Sequence, residues 1–395
     1  MPSSPAAAPS RPAAGGTEQL RRGNLSAALE VLHHHGPLRR AELTQRLGLN
    51  RSTIASVVGE LQELGLAHES SPRSTGEGGR PSGVVEPSSD VVAIAVNPEV
   101  DAVRIGVVAL GGRVLARSRI PAAADHDAAQ VVAATTTAID DLVHALPTHP
   151  RIAGVGLAVP GQVRVADGTV MQATHLGWTQ VPIARMITDA TGLPARAANA
   201  ATLALRAESV FGAGRGIRDL VYFIGGASGI GGGALVGGQV LEGSAGYAGE
   251  FGHMLVAPHG APCHCGSRGC LEAEIEPAEL LAAVGLGFAD ADLLGDALRA
   301  STDPAVRSLV DRKAELLAYA VRDVVNLFNP EAVMLSGFLA ALSGASTRDL
   351  AADAISSSRA NLRLIHAPTG PDSLLVGGAE LVFDAVLADP ARAFA

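Results

Sequence analysis

The stretch EFGHMLVAPHGAPCHCGSRGCLE, residues 250–272, holds all three cysteines of the chain, Cys263, Cys265 and Cys270, and sets them beside histidines and glycines. Zinc takes four nitrogen or sulfur donors in a tetrahedron, and His253 with the three thiols makes such a set. His259 and His264 lie nearby, so the residues alone leave the choice of histidine open. Gly266 and Gly269 allow the tight fold-back that brings the thiols together. A disulfide would strand one cysteine, and it belongs to exported proteins, whose signal this chain lacks. Inert buried thiols would not explain three cysteines gathered beside histidine and glycine in a chain otherwise without them. The reading is a structural zinc knuckle over residues 253–270.

The rest of the composition bounds where the chain can act. A length of 395 residues exceeds what one core usually organises, so two or three domains are expected. Hydrophobic residues make up 47% but come in short runs, none approaching the ~20 apolar residues that cross a bilayer. The first 19 residues are rich in Ala, Pro, Ser and Gly with no continuous apolar stretch, which predicts a disordered leader on a cytoplasmic protein with no membrane role. The net charge of -9 excludes a chain that coats nucleic acid, yet the charge is uneven. Residues 20–80 carry eight Arg and six Glu, a balance of +2; Arg11 and Glu18 cancel, so residues 81–395 carry -11. Any nucleic-acid contact belongs to the N-terminal segment.

That segment reads as a winged helix-turn-helix over residues 20–84. Leu25, Ala28, Leu29 and Leu32 follow the i, i+3, i+4, i+7 spacing of one helix face. Gly36 and Pro37 end that helix, because proline cannot continue the ladder. A second helix is predicted near residues 40–47, burying Ala41, Leu43 and Leu47, with Gly48 supplying the turn. In LNRSTIASVVGELQELGLA (49–67), Asn50 or Ser52 can cap a third helix whose apolar stripe is Ile54, Val57, Leu61 and Leu64. Its other face carries Arg51, Ser52, Thr53 and Ser56, hydrogen-bonding groups at the exposed end of a helix, suited to base edges in a major groove. HESSPRSTGEGGRPS (68–82) suits a wing, with Arg80 able to reach a minor groove.

Beyond residue 90 the motifs resemble the ROK family of repressors, open reading frames and sugar kinases. They are GVGLAVPGQV from Gly154, LGW at 176–178, GIGGGALVGGQVLEGSAGYAGEFGH from Gly229, CHCGSRGCLE from Cys263, NLFNPEAVMLSG at 326–337 and LLVGGAEL near the end. The resemblance implies an α/β fold of two lobes, actin-like and ribonuclease H-like, of the ATPase type. The lobes would be a small one at 85–199, completed by 379–395, and a large one at 200–378. It implies zinc (Zn2+) at His253, Cys263, Cys265 and Cys270, and a sugar pocket lined by Asn199, Glu250, His253 and Glu272. The winged helix matches the family's repressor branch, which implies an operator in double-stranded DNA, a sugar or sugar-derivative effector, and a homodimer or homotetramer.

Two departures from the family's kinases stand out. Their Asp-x-Gly-x-Thr phosphate turn falls here on Asn97, Pro98, Glu99, Val100 and Asp101. Pro98 has no N–H to offer, and two acidic side chains would oppose a triphosphate. Registered on Ala207-Glu208 and Phe211-Gly212-Ala213, the family's catalytic aspartate falls on Ala200, which cannot accept a proton. The Gly-rich run at 228–233 reads as an inherited turn. The expectation is a sugar-responsive repressor without catalytic residues; the alternatives are a sugar kinase with an appended DNA-binding domain and a regulator with a vestigial pocket.

Overall fold

A computed structural model describes residues 14–70, 83–122, 127–367 and 372–394. The chain divides into two compact units, Met1–Val91 with Phe383–Ala395, and Val92–Val382.

The first unit is built on three helices, α1 (Ala14–His35), α2 (Arg40–Leu47) and α3 (Arg51–Glu63). Strands β1 (Leu38–Arg39), β2 (Ala67–Ser70) and β3 (Val84–Pro87) form an antiparallel sheet in the order β1-β3-β2. Leu25, Ala28, Leu29 and Leu32 are fully buried, as their spacing predicts, with Ile54, Val58 and Leu61 of α3. Two expectations need correction. Residues 14–19, read as leader, are helical, so α1 starts before the apolar stripe that marks it in the sequence. In α2, Ala41 is exposed and only Leu43 is fully buried, because positions two apart lie about 200° apart around a helix and cannot share a face. Phe383, also fully buried, brings its ring to 5.4 Å from that of His33.

The second unit opens with the hairpin strands β4 (Val91–Pro98), β5 (Ala102–Ala109) and β6 (Val114–Pro121), followed by α4 (Ala128–His144) and β7 (Arg151–Val159). Next come β8 (Gln162–Arg164), β9 (Thr169–Ala173), β10 (Trp178–Val181), α5 (Ile183–Thr191), β11 (Ala195–Asn199) and α6 (Ala200–Val210). The first lobe's sheet runs β11-β7-β4-β5-β6. Every residue of β4 is buried, whereas β6, at the edge, alternates towards solvent.

The second lobe continues with β12 (Leu220–Gly226), β13 (Gly229–Val236), β14 (Gln239–Val240), α7 (Leu271–Glu274), α8 (Pro277–Ala283), α9 (Leu294–Ala300) and α10 (Pro304–Phe328). The final elements are β15 (Ala332–Gly337), α11 (Phe338–Ala345), α12 (Ser356–Arg359), β16 (Arg363–His366) and α13 (Asp372–Ala388). Its sheet runs β14-β13-β12-β15-β16. Helix α10 starts at Pro304, a favoured first position, capped by Asp303, and buries Leu317, Val321, Val324 and Val325. Of the segment expected to complete the small lobe, Ala379–Val382 stays in this unit and Phe383–Ala395 divides off into the first. Helix α13 lies so close to β7 that a Cβ on Gly156 would stand 1.9 Å from the carbonyl oxygen of Gly378.

The run at 228–233 is not a loop. Gly226 pairs with Gly229, leaving a two-residue hairpin at Ala227 and Ser228, and the following glycines belong to β13. Their lack of side chains serves packing: a Cβ on Gly232 would meet Phe251 at 2.4 Å, and one on Gly231 would meet Ala201 at 2.7 Å. Among the described residues, no helix is long and apolar enough to cross a membrane.

Candidate functional site

In the first unit, Gly48 takes φ 64°, the left-handed conformation that glycine adopts without steric cost, and turns α2 into α3. Asn50 settles the capping alternative: its Oδ1 accepts the Thr53 amide at 2.8 Å and the Ser52 hydroxyl at 2.7 Å. Arg51, Ser52 and Ser56 are exposed and Thr53 half-buried. Ser52 and Ser56 point away from the buried stripe, whereas Arg51 and Thr53, three and four residues before buried Ile54 and Val57, flank it in the first turn and do not share one opposite face with them. Arg51 makes no ion pair or side-chain hydrogen bond among the described residues. Arg40 of α2 reaches Glu69 of β2 at 2.6 Å, tying helix to sheet. Arg80, expected to act from a wing over residues 68–82, lies outside the described residues.

In the second unit a cavity of about 320 Å³ opens beyond the carboxyl ends of β4, β7, β11 and β12, where open α/β sheets leave a crevice for ligands. Asn199, Glu250, His253 and Glu272 all line it. Asn199 ends β11 and caps α6: its Oδ1 accepts the Thr202 amide at 3.1 Å and its Nδ2 donates to the Gly161 carbonyl at 2.9 Å. That capping role leaves Ala200 as the first residue of α6, with its methyl on the cavity wall. Burial pushes the Glu250 carboxyl above its usual range, while the nearby His253 imidazole opposes the shift. Sequence reasoning did not name His175 and weighed His264 only as an alternative zinc donor, yet both line the same cavity with ring centroids 4.2 Å apart. Their signal was positional: His175 directly precedes LGW, and His264 stands between two cysteines.

A second cavity, of about 810 Å³, meets the first at Glu99, Ile224, Gly226 and Leu374. The β4–β5 turn stands at this junction. Its two acidic residues differ sharply. Burial works against the charge of Asp101, yet Arg104 and Arg119, each at 2.8 Å, outweigh it and hold its carboxyl below the usual range. Glu99 is buried, accepts the Ser228 hydroxyl, and has its carboxyl pushed up by burial. The expected repulsion from Asp101 is therefore largely neutralised in place. Glu99 obstructs the turn by occupying it.

The knuckle brings its donors together. A short 3-10 turn, Phe251–His253, holds His253 with Nδ1 3.6 Å from Cys263 Sγ, and Cys265 Sγ lies 3.7 Å from Cys270 Sγ. All four donor atoms lie within 4.8 Å of one another. His259 is exposed and belongs to no such group among the described residues. Gly269, at φ 71°, has no room for a side chain, since a Cβ there would stand 1.6 Å from the Ala257 carbonyl oxygen. Three thiols and an imidazole at these separations fit a tetrahedral zinc ion. His253 Nδ1 faces the thiols, leaving Nε2 towards Glu250 at 4.0 Å.

The ROK family profile matches residues 93–384. Among curated proteins, a putative xylose repressor of Caldicellulosiruptor sp. (strain Rt8B.4) is 26% identical, over 80% of this chain and 83% of its own. The glucokinase of Streptomyces coelicolor is 29% identical, over 70% of this chain and 92% of its own. Among solved structures, a ROK family transcriptional regulator, described as a homologue of the E. coli MLC protein, shares the fold at TM-score 0.73 and 23% identity, covering 93% of this chain and 97% of its own. A ROK family glucokinase from Streptomyces griseus, in complex with glucose and AMPPNP, superposes at TM-score 0.59 and 26% identity, covering 73% of this chain and 98% of its own. With the profile spanning most of the chain and both lobes, this protein belongs to the ROK family.

Proposed function

We propose that the chain is a sugar-responsive transcriptional repressor, in which a winged helix-turn-helix binds operator DNA and the ROK domain binds the effector. The observation that carries this reading is architectural. The ROK transcriptional regulator matches 93% of the chain, more than residues 93–384 hold, while the two glucokinases match 70% and 73%. What lies outside the shared domain includes a capped helix on which Arg51, Ser52 and Ser56 are exposed and Thr53 half-buried. The xylose repressor relative supports the same assignment. Helix-turn-helix proteins commonly read paired half-sites one DNA turn apart, so the active form is a homodimer or homotetramer on a pseudo-palindromic operator, with Arg80 assisting from the wing.

Asn199, Glu250, His253 and Glu272 would take the sugar, the Asn199 amide oxygen and the two carboxylates accepting hydrogen bonds from its hydroxyls and His253 offering a ring nitrogen. His253, Cys263, Cys265 and Cys270 would hold zinc. With all four positions filled by protein, the ion cross-links the knuckle and performs no chemistry. His253 Nε2 stays available to the cavity.

The slightly higher identity to glucokinases favours a second reading, a sugar kinase. Ala200 at the expected position of the base and Glu99 in the phosphate turn count against it, and both line the cleft. The deciding experiment selects operator fragments from genomic DNA, then titrates a sugar panel against the protein–operator complex by fluorescence anisotropy. Release of DNA by one sugar or sugar derivative is expected. Operator affinity that survives removal of residues 1–84 would refute the DNA-binding assignment.

A further inference from the structure

The knuckle donors do not stand alone. A second group of four, His253, Cys263, His264 and Glu272, offers one ligating atom each, again all within 4.8 Å of one another. Glu272 Oε1 is the hub: it lies 3.1 Å from His264 Nδ1, 3.4 Å from Cys263 Sγ and 3.5 Å from His253 Nδ1. Ligand bonds of 2.0–2.3 Å set the edges of a coordination tetrahedron at roughly 3.3–3.8 Å, so these separations suit one ion. The two groups share His253 and Cys263. They differ in the remaining pair, Cys265 and Cys270 in one, His264 and Glu272 in the other.

We propose that the metal has two overlapping seats, the knuckle and a second one made of His253, Cys263, His264 and Glu272 on the wall of the effector cavity, used when Cys265 and Cys270 are withdrawn as ligands. The inference rests on the knuckle being a metal site. Two imidazoles, one thiolate and one carboxylate neutralise a divalent ion and suit a borderline metal such as zinc. Cys265 is exposed and stands 3.7 Å from Cys270, which makes this pair the one open to withdrawal. Hydrogen peroxide would do it: an S–S bond forms, the O–O bond breaks, the two thiolate sulfurs give up two electrons, and two protons taken from solvent complete two molecules of water. The consequence reaches the effector. A Glu272 oxygen bound to metal no longer accepts a hydrogen bond from a sugar hydroxyl, so use of the second seat weakens sugar binding.

The test uses the full-length, zinc-loaded protein and its His264→Ala variant, which keeps the whole knuckle. Each is treated with hydrogen peroxide until peptide mapping finds the Cys265–Cys270 disulfide, then desalted and analysed for zinc. Both should hold one zinc per chain beforehand; afterwards the wild type should keep it and the variant lose it. Equal release from both would overturn the second seat. Independently, Cys265→Ser/Cys270→Ser protein should bind one cobalt(II) with the charge-transfer absorption of a single thiolate, and adding His264→Ala should abolish it. Unaltered cobalt binding in the triple variant would overturn the proposal. Absence of zinc from untreated wild-type protein would instead overturn the knuckle reading on which it stands.

Discussion

Ser228, in the hairpin between β12 and β13, donates a hydrogen bond to the carboxyl of Glu99, in the turn between β4 and β5. One residue comes from each lobe, and they meet where the two cavities join. Because burial raises the folded-state pKa of Glu99, the carboxyl resists ionisation. The stability it contributes is fully present below the ordinary value of 4.5 and is lost as pH rises through the raised folded-state value. Glu99→Gln cannot ionise and keeps the hydrogen-bonding shape. Thermal melts at a series of pH values should therefore find the variant more stable than wild type at pH 8, with the difference shrinking towards acid. A difference independent of pH would contradict the assignment.

Phosphorylation of any sugar should be undetectable in a coupled ADP-release assay, and Ala200→Asp alone should not restore it. The returned carboxylate would still face a turn without the Pro98 amide and obstructed by Glu99. Turnover by the wild type at ordinary kinase rates, of the order of 1–100 s⁻¹, would make it an enzyme.

Arg51→Ala should weaken operator binding by about 1–3 kcal/mol if the guanidinium makes a bidentate base contact. The same change should leave stability unaltered, since Arg51 is exposed and has no internal partner among the described residues. Asn50→Ala should do the reverse first, costing about 1 kcal/mol of stability through the lost cap. Comparing denaturant unfolding with DNA titration for the two variants separates recognition from folding.

Stripping zinc with a chelator should lower the thermal midpoint, because an ion bound only by the folded state stabilises it by about 3 kcal/mol when free metal stands near 100 times Kd. Cys263→Ser should behave like stripped protein, since Cys263 is buried and belongs to both donor groups. A midpoint indifferent to both changes would remove the structural role.

Much of this protein is written in local sequence. Helical spacing at Leu25, Ala28, Leu29 and Leu32, the Asn50 cap, the Gly48 turn and the clustering of Cys263, Cys265 and Cys270 are short-range features, and short-range sterics and hydrogen bonding suffice to make them. The positions of Asn199, Glu250, His253 and Glu272 around one cavity were expected from family motifs, and could not have been obtained from spacing alone. What only the tertiary structure decided arises where turns and strand pairing bring together groups that the sequence does not mark as partners. Asp101 is neutralised by Arg104 and by Arg119 on the next strand, so its negative charge, plain in the sequence, contributes little repulsion. The glycines at 229–233 look like a phosphate loop until pairing with β12 places them in a strand, where Ala201, Leu205 and Phe251 occupy the space their side chains would fill. Glu272 reads as one sugar ligand among four, yet folding surrounds one of its oxygens with His253, Cys263 and His264. Sequence records which groups a chain carries; the desolvation, charge pairing and donor geometry that set their chemistry depend on neighbours brought in from elsewhere in the chain.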